Sequence, residues 1–295
     1  MAPRGGEVTR RVAVAVIGIP LVLAALYLGG WWFGVMLAAV AVLATSELYA
    51  LATARGVRPF GVTGMAAAGA IVLLATARPT PGAAAAPILA VLVALVLITL
   101  TASVWLRWPE GEPLVAVAVT LLGSVYIGCT LAFAVFLRGV PATFLPPSLG
   151  PSWPAMGFVL LPLVAVWVGD SSAYFVGRAI GRTKLFPAAS PGKTLEGGIA
   201  GLIGSAVAAA LVARFFLSGL AGANVSVMTG ALVGAVIGVA APLGDVAESV
   251  LKREAGVKDS GTLLPGHGGF LDRIDSLLYA LPVAYGVLAL IGATR

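Results

Sequence analysis

The sequence predicts an all-α, polytopic transmembrane protein, and three observations lead to this fold class. Of its 295 residues, 60% are hydrophobic and only 10% are charged, whereas an average soluble domain is about 25% charged. The mean hydropathy of +1.05 indicates too few polar side chains to cover a surface in contact with water. Apolar runs long enough to cross about 30 Å of hydrocarbon recur along the chain. A backbone inside lipid must satisfy its own hydrogen bonds, so these runs are predicted to be helices.

About nine transmembrane helices are predicted, because nine apolar runs are separated by segments rich in proline, glycine or charge. Each run is close to the roughly 20 residues that a helix needs to span a bilayer. The runs cover residues 12–29, 31–52, 60–77, 84–106, 113–137, 155–180, 197–217, 227–251 and 276–292.

The positive charges predict a cytoplasmic N-terminus, because lysine and arginine in short loops are retained on the cytoplasmic side. With nine spans in this orientation, all but four of the 18 basic residues lie inside. The two longest polar connections, 181–196 and 252–275, then share the cytoplasmic face. The isoelectric point near 9.8 is attributed to this bias and to anionic lipid headgroups, so no nucleic-acid partner is expected.

The acidic residues divide the chain into an N-terminal membrane-anchoring region, 1–154, and a C-terminal catalytic region, 155–295. Eight of the 12 acidic residues lie from Asp170 onward, and carboxylates within a membrane are functional candidates by default. Asp245 and Lys252 are seven residues apart, a spacing that brings them to one face of a helix. Asp170 alone is equally compatible with a structural ion pair, and the isolated Glu47 is closer to a structural role.

The segment SPGKTLEGG, residues 190–198, partly matches a phosphate-binding P-loop. Pro187 occupies the position of the first glycine of that motif and no preceding strand is predicted, so a P-loop fold is rejected. Lys193 and Thr194, placed just before a helix, still suit a phosphate group because a helix N-terminus attracts anions. The alternative is an interfacial lysine at the start of a helix.

The stretch PGHGGFLDRID, residues 265–275, holds the only histidine of the chain. Glycines allow the backbone to approach a ligand and to present N–H groups to an anion, while histidine and arginine donate to phosphate oxygens. Aspartates supply the hard oxygen ligands that Mg²⁺ takes together with substrate phosphates. These groups predict a phosphoryl or nucleotidyl transfer site formed by Gly266, His267, Gly268, Gly269, Asp272, Arg273 and Asp275.

These residues carry a resemblance to a known family. The pattern SVLKR at 249–253, KD at 258–259 and LPGHGGFLDRID at 264–275 closely resembles the signature of phosphatidate cytidylyltransferases. DSSAYFVGR at 170–178, SPGKTLEG at 190–197 and LGD at 243–245 are also similar to that family. The resemblance covers about 170–275. Ser171, Ser172 and Leu195 depart from the residues that are commoner in the family.

The resemblance implies that CTP and phosphatidic acid give CDP-diacylglycerol and pyrophosphate in phospholipid biosynthesis. It also implies dependence on Mg²⁺, with a second cation left open, a homodimer, and a cell-membrane location with the site facing the cytoplasm. The catalytic residues it implies are Asp245, Lys252, His267, Asp272 and Arg273. The implied metal ligands are Asp245, Asp272 and Asp275. The implied substrate-binding and phosphate-binding residues are Asp170, Ser190, Lys193, Thr194, Arg253, Lys258, Gly266, Gly268 and Gly269.

Two other classes of function are weighed against this one. A CTP-dependent polyprenol or phytol kinase would handle CTP similarly but would transfer the γ-phosphoryl group to an alcohol. An ion-coupled transporter would also carry carboxylates in its helices, but it would usually show repeated, broken helices near the bilayer midplane. The long match around His267 disfavours the kinase, and the absence of an internal repeat disfavours the transporter.

Overall fold

The computed structural model describes residues 5–140, 152–223, 225–263 and 268–293. Within these ranges the chain forms nine helices and one short β-hairpin. Two helices contain a wider, π-helical stretch, at Ser124–Cys129 and at Val212–Leu220. The helices are α1 (Gly5–Leu28), α2 (Gly30–Ala54), α3 (Gly61–Ala77), α4 (Pro81–Leu106), α5 (Pro113–Gly139), α6 (Trp153–Ile180), α7 (Leu195–Leu220), α8 (Val227–Glu254) and α9 (Leu271–Ala293).

The structure confirms a predominantly helical, multi-pass membrane protein. Each of the nine predicted apolar runs overlaps one helix. In the described parts of the chain, seven helices are long and apolar enough to cross a membrane, namely α2 and α4 through α9. Two further apolar helical segments, Gly18–Leu28 and Gly61–Ala77, are shorter.

Among the elements of the described residues, a β-hairpin was not predicted from the sequence. Its antiparallel strands are β1 (Lys184–Phe186) and β2 (Ser190–Thr194). The expectation that no strand precedes Pro187 is therefore wrong, since β1 ends at Phe186. These strands are short and only one of their residues is buried, so they lack the alternating apolar pattern by which a half-buried strand is predicted. The hairpin does not restore a P-loop, which requires a buried strand before the glycines.

The chain forms two compact units, each assembled from separate parts of the sequence. The first unit comprises Met1–Ala132 and Leu251–Ile274, and the second comprises Phe133–Val250 and Asp275–Arg295. The predicted functional division at residue 154 concerns roles rather than packing and remains a prediction.

In the second unit, glycines let helices pack with their backbones close together. Gly230, Gly234 and Gly238 recur every four residues on α8 and face α7. A Cβ atom at Gly238 would lie 2.7 Å from the Cα atom of Leu202, which is too close for any other residue. Helices in lipid associate through such small residues, because there is little hydrophobic gain from pairing apolar side chains there. The glycine stripe therefore fixes α8 against α7.

The same principle fixes α6 against α7. A Cβ atom at Gly197 would lie 2.7 Å from the carbonyl oxygen of Ala173, and one at Gly201 would lie 3.1 Å from that of Gly169. The hydroxyl of Ser205 donates to the carbonyl oxygen of Ala165 at 2.9 Å. Close packing of α7 with both α6 and α8 sets the positions of the side chains that these two helices carry.

In the first unit, a buried polar network joins α2, α3 and α5. The Tyr49 hydroxyl of α2 donates to the carbonyl oxygen of Thr120 at 2.6 Å, and it lies 3.3 Å from the hydroxyl of Ser124. The Ser124 hydroxyl is 2.9 Å from the carbonyl oxygen of Gly64. Each buried polar group in this network has a partner, which limits the desolvation cost. The network holds α2 in a defined position.

Candidate functional site

A cavity of about 800 Å³ lies within the second unit and collects several predicted site residues. Its lining includes one end of α6, the hairpin, the start of α7 and the middle of α8. The volume is within the range of pockets that bind small molecules. Five of the residues predicted from sequence line it: Asp170, Ser190, Lys193, Thr194 and Asp245.

Lys193 is the central cation of this cavity. Its ammonium nitrogen lies 2.8 Å from Oδ2 of Asp245 and donates to the carbonyl oxygen of Pro242 at 3.1 Å. The side chains of Lys193 and Asp245 are 23% and 36% exposed, respectively, so the pair remains accessible from the cavity. A lysine has three N–H donors, which leaves one donor of Lys193 available for a ligand oxygen.

Asp170, Tyr174 and Arg178 follow one another at intervals of four residues on α6, and all three line the cavity. Residues four apart lie on one face of a helix, and this face of α6 lines the cavity. Nη1 of Arg178 donates to the Tyr174 hydroxyl at 2.9 Å. Asp170 lies close enough to Lys193, Asp245 and Asp275 to interact with their charges electrostatically. No hydrogen bond to the Asp170 carboxylate is formed by the described residues, and its side chain is exposed to the cavity.

The hairpin and the start of α7 hold Lys193 in place. The Thr194 hydroxyl accepts from the backbone N–H of Gly197 at 3.2 Å and so caps α7. The Glu196 carboxylate accepts from the backbone N–H groups of Arg182 and Thr183 at 3.1 to 3.3 Å. These bonds satisfy N–H groups at a helix start and tie the hairpin to α7.

A second cluster of predicted residues lies in the first unit and is centred on Asp272, at the start of α9. Lys252 lies 2.7 Å from Oδ1 of Asp272, and the two side chains are only 11% and 5% exposed. Oδ2 accepts three further hydrogen bonds, each 2.9 Å long, from the backbone N–H and the hydroxyl of Ser260 and from the backbone N–H of Gly269. The Asp272 carboxylate is thus surrounded by donors of the protein itself.

The other predicted residues near the chain's only histidine differ in their surroundings. The Gly269 N–H donates to Asp272, so in this arrangement it is not directed at a ligand. Gly268 has a φ of +79°, which glycine adopts without strain. Asp275 accepts from the backbone N–H of Ser276. Three predicted cations are exposed: Arg253, Lys258 and Arg273. Gly266 and His267 lie outside the described residues.

Glu47 and Ser260 belong to the Asp272 cluster, although neither was predicted as a site residue. The Glu47 carboxylate accepts from the Phe270 N–H at 3.0 Å and from the Leu271 N–H at 2.8 Å, and it lies 3.1 Å from the Ser260 hydroxyl. The signal in the sequence was a lone carboxylate in an apolar helix. Nothing in the spacing indicated that its partners lie more than 200 residues further along the chain.

The two clusters differ in how well they fit Mg²⁺. No group of three metal-ligating side chains exists among the described residues, but Mg²⁺ often takes one or two carboxylates and completes its shell with water and substrate phosphates. Asp170 fits best, since it lines the cavity and accepts no hydrogen bond from the described residues. Asp245 also lines the cavity; Lys193 engages its Oδ2, but its Oδ1 accepts only a long, 3.4 Å bond from Ser249. Asp272 fits less well, because a metal would have to displace Lys252 or Ser260.

Comparisons with known proteins agree with the resemblance noted in the sequence. The model of the family described as "Cytidylyltransferase family" matches residues 9–291. A phosphatidate cytidylyltransferase of Synechocystis is 35% identical over 96% of this chain and 97% of its own length. Those of Haemophilus influenzae and Thermotoga maritima are 50% and 47% identical over 42% and 45% of this chain, and over 43% and 49% of their own lengths.

Proposed function

Because the chain belongs to the cytidylyltransferase family, we propose that it is a phosphatidate cytidylyltransferase of phospholipid biosynthesis. It transfers the cytidylyl group of CTP to phosphatidic acid, forming CDP-diacylglycerol and pyrophosphate. The structural observation that carries this proposal is the cavity in which Lys193, Asp245 and Asp170 converge. A lysine beside two carboxylates that can hold a divalent cation suits a ligand that is rich in phosphate.

The reaction needs little acid–base chemistry from the protein. An oxygen of the lipid phosphate forms a bond to the α-phosphorus of CTP. The bond from that phosphorus to the oxygen bridging the α- and β-phosphates breaks, and pyrophosphate leaves with the electron pair. A phosphomonoester has its second pKa near 6, so the lipid phosphate is largely dianionic at neutral pH. The barrier lies mainly in bringing anions together and aligning them.

Residues of the cavity supply part of that neutralisation and alignment. Lys193 donates to a phosphate oxygen while Asp245 and the Pro242 carbonyl hold its ammonium group in place. Preorganised charge of this kind is effective because it requires no reorganisation during the reaction. Ser190 and Thr194, at the two ends of β2, provide hydroxyl groups at the cavity wall.

A carboxylate at a phosphate-binding cavity implies a cation between the two, since the anions would otherwise repel each other. We assign Asp170 and Asp245 as the residues that would hold Mg²⁺ in the cavity, with Asp275 as a further ligand or an orienting group. Bound Mg²⁺ would supply charge neutralisation at the phosphates of CTP. The occupancy of a second cation stays a prediction, whereas Asp272, predicted from the sequence as a metal ligand, is proposed instead to hold Lys252.

Lys252 is assigned to a substrate phosphate, with Asp272 holding its ammonium group in position. The pair is almost completely buried, and a lysine held this way acts as a fixed positive charge. We assign the same substrate-binding role, as exposed cations, to Arg253, Lys258 and Arg273, and a phosphate-donor role to His267. The proposed substrates are therefore CTP from the cytoplasm and phosphatidic acid from the membrane. A homodimer remains part of the proposal.

We also propose nine transmembrane spans with a cytoplasmic N-terminus in the cell membrane. At 1.5 Å per residue, the 17 residues of α3 reach about 26 Å, which approaches the thickness of the hydrocarbon core. The hairpin and the segment from Lys252 to Asp275 then face the cytoplasm, where CTP is present.

Replacing Lys193 with methionine should lower kcat/KM about 10- to 100-fold, because a positioned positive charge at the phosphates is lost. The free energy of unfolding should fall by about 1 kcal/mol or less, since the ion pair with Asp245 is partly exposed. Steady-state kinetics with CTP and phosphatidic acid varied in turn, together with thermal denaturation, measure both effects. The control is Arg182→Met, an exposed cation of the neighbouring loop. Wild-type kinetics for Lys193→Met would reduce Lys193 to an interfacial anchor.

Labelled CTP distinguishes the transferase from the other two classes. Purified protein is incubated with phosphatidic acid, Mg²⁺ and CTP labelled at either the α- or the γ-phosphorus. We expect the α-label in the lipid fraction and the γ-label in released pyrophosphate. The γ-label in the lipid would indicate a kinase. Neither label in the lipid would reject both enzymes and leave transport as the remaining class.

The orientation is tested by cysteine labelling in a Cys129→Ala background, since Cys129 is the only native cysteine. Arg182→Cys and Lys258→Cys should react with an impermeant thiol reagent only after the cytoplasmic side is opened. Arg78→Cys, in a loop expected outside, serves as the control and should react in intact cells. Reaction of position 182 or 258 in intact cells contradicts the proposed topology.

A further inference from the structure

Glu47 is a carboxylate in an unfavourable place. It lies within α2, a helix that is long and apolar enough to cross a membrane, and its residue surface is only 4% exposed. A buried carboxylate is costly unless hydrogen bonds or a counter-charge stabilise it. Its retention therefore calls for a partner or a function.

The partners of Glu47 are two backbone N–H groups at the start of α9, those of Phe270 and Leu271. Oε1 accepts from the Phe270 N–H at 3.0 Å, and Oε2 accepts from the Leu271 N–H at 2.8 Å. The first N–H groups of a helix have no partner within the helix and attract negative charge. Glu47 thus caps α9 from a distant part of the sequence.

Glu47 and Asp272 accept hydrogen bonds from consecutive backbone N–H groups at the start of α9. The Asp272 carboxylate accepts from the Gly269 N–H at 2.9 Å, and Glu47 accepts from the next two amides. The Ser260 hydroxyl lies between them, 3.1 Å from Glu47 and 2.9 Å from Asp272. One hydroxyl proton can be donated to only one carboxylate at a time, so Ser260 couples the two acidic groups.

The glycines near Glu47 leave space for this arrangement. A Cβ atom at Gly261 would lie 2.6 Å from Oε1 of Glu47, and one at Gly269 would overlap both Glu47 and Ser260. The backbone passes close to the carboxylate on both sides. Since Tyr49 fixes α2 to its neighbours, Glu47 presents a rigid acceptor to the segment.

We propose that Glu47 is a positioning residue for the reaction. It fixes the start of α9 and Ser260, which in turn hold the Asp272 carboxylate and through it the Lys252 ammonium group. Glu47 itself contacts no substrate in this proposal. The inference rests on the proposed function only in that Lys252 meets a substrate phosphate.

The test compares Glu47→Gln, Glu47→Asp and Ser260→Ala with wild type, after wild-type activity has been established with α-labelled CTP. Glutamine keeps the shape of Glu47 but turns one acceptor atom into a donor that faces an N–H group. Because small displacements of positioned groups reduce rates strongly, we expect Glu47→Gln to lower kcat by about 10-fold or more per folded molecule. The KM values for CTP and phosphatidic acid should change far less. Glu47→Asp keeps the charge and should retain more activity than Glu47→Gln.

The matched control is Thr45→Val on the same helix. Thr45 is fully buried, and its hydroxyl has no hydrogen-bond partner among the described residues, so this isosteric change should leave kcat unaltered.

The proposal is overturned if Glu47→Gln keeps the wild-type kcat per folded molecule, or if Glu47→Asp is no more active than Glu47→Gln. If Glu47→Gln does not fold, the proposal is judged on Glu47→Asp and Ser260→Ala. A lower kcat of these two variants at an unchanged Tm supports the proposal, and a wild-type kcat of both rejects it. An inactive wild type would instead reject the proposed function.

Discussion

Buried charge in an apolar protein must be compensated, and the Asp272 carboxylate shows how this chain meets that constraint. Its two oxygens accept from Lys252, from both donors of Ser260 and from the Gly269 amide. Removing one partner of a buried ion pair typically costs about 3–5 kcal/mol, because the other charge stays buried and uncompensated. The start of α9 and the backbone at Ser260 therefore owe their local structure to a carboxylate, not to apolar packing alone.

The cavity of the second unit depends on a different constraint, the close packing of helices in lipid. Glycines at intervals of four residues on α8, and others on α6 and α7, remove side chains where the backbones meet. This packing orders the helices that carry Asp170 and Asp245. The hairpin, in turn, brings Lys193 to within 2.8 Å of Asp245. The site thus depends on close helix packing for Asp170 and Asp245, and on the β-hairpin for Lys193.

The sequence predicted the helices well because hydropathy records directly which segments enter lipid. The family resemblance named Asp170, Lys193 and Asp245 among a larger set of site residues; these three line one cavity, and their roles stay predictions. The hairpin and the role of Glu47 could not be predicted in this way. Short exposed strands lack a hydrophobic period, and the bond from Glu47 to Leu271 joins residues 224 positions apart, which no local pattern encodes. Asp272 was predicted as a metal ligand because its type and position allow it. Only the geometry identified the four donors around it.

The central claim, that Asp272 organises the segment as the partner of Lys252, is tested most directly by the Tm of Asp272→Asn with and without Mg²⁺. A ligand that binds only the folded state raises Tm, so the Mg²⁺-induced shift reports metal binding without requiring activity. We expect Asp272→Asn to have a clearly lower Tm in Mg²⁺-free buffer, which adding Lys252→Met partly recovers, and a Mg²⁺-induced shift equal to that of wild type. An unchanged Tm in Mg²⁺-free buffer together with loss of the Mg²⁺-induced shift would contradict it and identify Asp272 as a metal ligand.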